Sequence, residues 1–112
     1  MSKDNDDLKN VREIALALPD VKESTTKLGT GWKVRGRLMT CQAIHKSAEP
    51  NSLMVRVSTG ERERLLKEQP NTFYLTDHYR PYDAILVRLS KVNQTTLRDV
   101  LNSAWRFVRE GS

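Results

Sequence analysis

Cysteine is nearly absent: Cys41 stands alone among 112 residues, so no internal disulfide can form. That suits a reducing compartment, and a cytoplasmic protein is the expectation. Long apolar runs are missing too. The densest, "AILV" at 84–87, ends at Arg88, far short of the ~20 residues a membrane span needs, so no membrane partner is expected. The opening "MSKDNDDLKN" lacks an apolar h-region, and no secretory leader is expected. Acidic residues are missing from Ser24 to Ala48, a stretch that holds Lys27, Lys33, Arg35, Arg37, His45 and Lys46.

Chemical motifs are equally scarce. No Cys-x-x-Cys or His-x-x-x-His spacing occurs, and Cys41 and His45 lie where a strand runs into a loop, so no metal is expected. No Gly-x-Ser-x-Gly elbow is present, and "GTGWKVRG" lacks the Lys-Ser/Thr ending of a phosphate-binding loop. Asp77 and His78 could work as acid and base, but sequence neighbours in a loop rarely point the same way. No catalytic residue and no cofactor are expected, and a small-molecule enzyme is the third reading.

What remains is charge and pattern. Nineteen Lys and Arg against fourteen acids give a net charge of +5 and a pI near 9.6. A positive region of this kind attracts phosphates and other anions over long range. At this length the chain makes one domain, residues 1–112 with an ordered core over about 6–109.

Leu8, Val11, Ile14, Ala15 and Leu18 recur at helical spacing, which predicts an amphipathic helix over 6–18 that Pro19 ends. Trp32 and Val34 alternate with Lys33 and Arg35, the period of a half-buried strand, and "RGR" supplies a hairpin turn into a second strand over 37–44. "LMVRVS", "TFYLT" and "AILVRL" read as further strands, with a short helix over "STGERERLLKEQP". Leu97, Val100, Leu101, Ala104, Trp105 and Val108 form the stripe of a closing helix. The expected fold is α+β: one antiparallel sheet, the first and last helices on the same face and a short middle helix. Trp105 is expected to be buried against Val34, Val55 or Val87.

The phrases "REIALALPDVKES", "GWKVRGRLMTC", "FYLTDHYRPYDAILVRLS" and "LRDVLNSAWRFV" follow one another as in the MmcQ/YjbR family of small bacterial proteins, which the chain resembles over about 8–109. The resemblance implies a frataxin-like CyaY architecture with a double-wing arrangement proposed to bind DNA. It brings no agreed catalytic residues.

On the strands, Lys33, Arg35, Arg56 and Arg88 stand opposite the apolar set. If the helices cover one sheet face, these four share the open one as a phosphate-tracking stripe. The 77–82 loop adds Tyr79, Arg80 and Tyr82, with His78 beside them, as stacking and phosphate groups. Non-enzymatic nucleic-acid binding by a monomer is the leading expectation, DNA favoured over RNA. A small-anion or protein-binding module on the same surface is the runner-up. Two blander readings stay open: a solvated basic face, whose long side chains cover the sheet with their stems, and a packed "HYRPY" turn.

Overall fold

A computed structural model describes residues 3–111. The elements run α1 (Lys3–Leu16), β1 (Val21–Thr26), β2 (Gly29–Val34), β3 (Arg37–Gln42), β4 (Ser52–Arg56), α2 (Thr59–Glu68), β5 (Phe73–Tyr74), β6 (Ala84–Arg88) and α3 (Gln94–Arg109). Among the described residues the strands form one antiparallel sheet in the order β1-β2-β3-β4-β6-β5. α1 stops two residues earlier than its apolar stripe suggests. Leu18 precedes Pro19, whose ring disfavours helical backbone at that position, and its N–H closes a single turn onto Ala15. Ser58 and Asn93 cap α2 and α3 by accepting the N–H groups of Glu61 and Thr96.

All three helices feed one core. Val11 and Ala15 of α1, Leu65 of α2, and Leu97, Val100, Leu101, Ala104 and Val108 of α3 pack on Trp32, Val34, Leu53, Val55, Ile85 and Val87. The same-face arrangement expected from the stripes is the one observed. The buried tryptophan, however, is Trp32, 0 % exposed, whose indole Nε1 donates to Glu23 Oε1 at 2.9 Å. Trp105 is only partly buried at the flank. Its indole N–H needs an acceptor and takes the Pro19 carbonyl at 2.8 Å, with Arg109 over the ring.

The β2–β3 hairpin turns on Arg35 (φ 51°) and Gly36 (φ 84°), the two positive φ values of a type I′ turn. Register then slips: Trp32 faces Thr40 while Lys33 faces Leu38, making Met39 the extra residue of a bulge. Met39 therefore enters the helix-side core, while Leu38 stays on the opposite face.

That opposite face is not open. Met54, Ala84 and Leu86 are buried there beneath a second, smaller apolar cluster with Leu38, Cys41, Ala43, Ala48, Tyr74 and Tyr79. Two loops, 43–51 and 75–83, bring Ala43, Ala48 and Tyr79 down onto the strands. The expected bare sheet face is thus covered over β4 and β6, and exposed only on the β1–β2 wing.

Candidate nucleic-acid interface

The 75–83 loop is a chain of tight turns. Tyr79 and Arg80 donate their N–H groups to the Thr76 carbonyl, Tyr82 to that of Tyr79. From α2, Arg62 Nη1 reaches the carbonyls of Arg80, Tyr82 and Ala84 at 3.2, 2.7 and 3.4 Å. Sequence reading assigns Arg62 no role beyond its place in the short helix, because nothing local announces carbonyl partners about twenty positions away.

A second tie joins the two loops. The rings of His45 and His78 stack at 3.4 Å between centroids with only 4° between planes, and Tyr79 meets both edge-on. Tyr79 Oη accepts the His45 N–H at 3.3 Å, and Ser47 bridges His45 Nδ1 to Thr76 Oγ1. Because the Ser47 N–H also donates to Nδ1, at 3.1 Å, neutral His45 carries its proton on Nε2. Desolvation, then the neighbouring His78 and Lys46, hold the His45 imidazolium below its ordinary value of 6.5. The unfolded chain therefore binds more protons than the folded one near that pH. The stability from this tie is complete above pH 6.5 and is lost as pH falls through the lowered value. Melting temperatures at pH 7.5 and 5.5 should show a larger acid-side loss for the parent than for His45→Asn, and equal losses would remove the stack from the account.

The expected site residues do not share one surface. Arg88 is fully engaged: Nε and Nη2 grip Glu49 at 2.9 and 2.8 Å, Nη1 holds the carbonyls of Pro70 and Asn71 at 3.2 Å, and the guanidinium lies 4.4 Å from the Tyr74 ring centroid. It is a structural clamp and leaves the phosphate stripe. Arg35 also leaves the strand face, since its left-handed backbone places it at the hairpin tip, 3.3 Å from Asp20 Oδ2. Arg80 is exposed beside Asp77 at 3.5 Å, its carbonyl held by Arg62. Tyr79 is half-buried and its hydroxyl is in use, so it shapes the loop more than it grips a ligand.

The rest converge. Arg56, His78, Tyr79, Tyr82 and Asp83 wall a cleft of about 330 Å³ floored by Leu38 and Met54. Tyr82 stands 57 % exposed at its mouth. Arg56 Nε donates to the Asp83 carbonyl at 3.1 Å, and its guanidinium lies 5.6 Å from the Phe107 ring centroid. Leu38 is the cross-strand neighbour of Lys33, whose other neighbour is Lys22. These two lysines, with Arg35, line a shallow depression of about 630 Å³ that also includes Asp20. Sequence reading misses Lys22, and weighs His45 only as a basic residue and a metal ligand, because pairing across strands and between loops leaves no local sequence signal.

The described residues contain no cluster of three His, Cys, Asp or Glu placed to hold a metal, and none of their helices is long and apolar enough to cross a membrane.

This order of elements and loops has relatives. The YjbR family model matches residues 16–107, from the end of α1 to the last turns of α3. The chain belongs to the YjbR family. Uncharacterised proteins of Mycobacterium bovis and Mycobacterium tuberculosis are 35% identical to this YjbR chain over 52 residues, 46% of its length and 40% of theirs. The matched stretch thus spans about two fifths of those relatives. The crystal structure of a Deinococcus radiodurans protein with a DUF419 domain superposes with a TM-score of 0.75, covering 93% of this chain and 79% of that one. At 19% identity, the likeness is one of fold.

Proposed function

We propose that this YjbR protein is a non-catalytic nucleic-acid-binding protein whose site is the β1–β2 wing together with the aromatic cleft beside it. The observation that carries this reading is a row across the sheet: Lys22 opposite Lys33, Lys33 opposite Leu38, and Leu38 in the cleft of Tyr82 and His78. Adjacent strands lie about 4.8 Å apart, so the row puts two cations one and two strand spacings from Leu38, which lines the cleft together with the exposed Tyr82. Phosphates tracked by a basic groove, with a base stacked on a nearby ring, make the sequence-tolerant mode of single-strand binding. Like charges placed directly opposite one another weaken a sheet. The Lys22–Lys33 pair is thus a local penalty to folding, and an anion laid across it would relieve that penalty.

The test is a titration of labelled DNA at several salt concentrations. The double variant Lys22→Gln, Lys33→Gln should bind all sequences more weakly, with the slope of log K against log salt reduced by roughly 1.4 for single strands. It should fold at least as well as the parent. An unchanged slope would move the site off the wing, and a parent that ignores DNA at low salt would end the nucleic-acid reading.

A further inference from the structure

The cleft holds two polar groups beyond those that bind a phosphate backbone. Arg56 spends Nε on the Asp83 carbonyl, which fixes the backbone of Asp83 beside the guanidinium. No ion pair among the described residues involves the Asp83 carboxylate. Arg56, which has further guanidinium donors, and Asp83, which has a carboxylate, thus both line the same small space, together with the exposed Tyr82 and with His78, whose ring stacks on that of His45.

Resting on the nucleic-acid reading above, we propose that this cleft takes one unpaired guanine base of a single strand. Among the bases, guanine alone presents two adjacent donors, N1–H and the N2 amino group, to a single carboxylate, with the O6 acceptor beside them for a guanidinium. Adenine offers one amino donor next to a bare N1 lone pair, which would face a carboxylate oxygen. Cytosine likewise offers one amino donor beside a lone pair, and thymine a single donor between two carbonyls. Arginine toward the guanine acceptors is already the commonest base-specific contact, and here an acidic neighbour would read the donors of the adjoining Watson–Crick edge. A cleft of about 330 Å³ suits a single base and excludes a base pair in a continuous stack, so the base must leave the helix or belong to a single strand.

The experiment uses fluorescence anisotropy with short thymine tracts that carry one central guanine, adenine or hypoxanthine. Hypoxanthine differs from guanine only by lacking the N2 amino group. The parent protein should bind the guanine strand about tenfold or more tighter than the other two. Asp83→Asn should erase that preference. Equal affinity of the parent for the guanine, adenine and hypoxanthine strands, with a normal salt slope, would overturn the guanine assignment and leave nucleic-acid binding in place. Absence of binding to every strand at low salt would overturn both. Because the three-strand comparison needs no variant, a misfolded Asp83→Asn protein would not blunt it.

Discussion

Replacing Trp32 with Ala should destabilise the protein by about 3–5 kcal/mol, a large share of the roughly 5–15 kcal/mol that holds a domain of this size together. The indole is completely buried, in the same core as Val34 and the apolar residues of α1 and α3. Its N–H also satisfies Glu23, which Arg12 Nε grips at 2.8 Å. The smaller change Trp32→Phe keeps most of the apolar contact but leaves Glu23 one donor short, and should cost about 1–2 kcal/mol. β1 is mostly exposed and pairs on one side only, so the wing has little besides Trp32, Val34 and Val21 to seat it on the helices. Urea unfolding followed by the fluorescence of the remaining Trp105 measures both variants. A loss under about 1 kcal/mol for Trp32→Ala would mean that the wing folds without its tryptophan.

Arg88→Met is expected to cost about 2–3 kcal/mol, the range for breaking hydrogen bonds to a charged group. Exposed strand arginines generally hold little folding energy, which is what the alternation in "AILVRL" suggests for this one. The structure reverses that expectation: only a quarter of the Arg88 side chain is exposed, and removing it leaves Glu49 and the carbonyls of Pro70 and Asn71 without their donor. The effect should also depend on pH. Hydrogen bonding by Arg88 holds the Glu49 carboxyl below its ordinary value of 4.5. Its contribution is complete above pH 4.5 and is lost as pH falls through the lowered value, so parent and variant should converge in acid. Denaturant midpoints at pH 7 and pH 3 check this, and a constant gap would assign the loss to the Tyr74 stack instead.

These two residues mark what a sequence of this kind discloses. The alternation of Trp32 and Val34 and the stripe of α3 are periodic, and periodicity depends only on the face that must be buried; those elements were legible. The fate of Arg88 depends on Glu49 across the sheet, and His45 meets His78 only because two separate loops fold over one surface. Neither pairing has a local signature. The covered sheet face was hidden for the same reason. Ala43, Ala48 and Tyr79 lie in loops whose polar neighbours read as solvent-facing, and only the folded chain turns them inward. Trp105 shows a subtler limit: its spacing fits the stripe, but an indole N–H seeks an acceptor, and the nearest one lies at the rim.

The hold of Arg62 on three alternate carbonyls, those of Arg80 and Tyr82 in the 75–83 loop and of Ala84 at the start of β6, has a kinetic consequence. With that loop also stacked on its neighbour through His78, the walls around Tyr82 stand in place before any ligand arrives. A preformed pocket loses little conformational freedom on association, so a few contacts can suffice for useful affinity. On the proposed nucleic-acid reading, capture would then proceed at the encounter rate set by the positive wing, with no slow closing step, and differences among ligands would lie in how long each one stays.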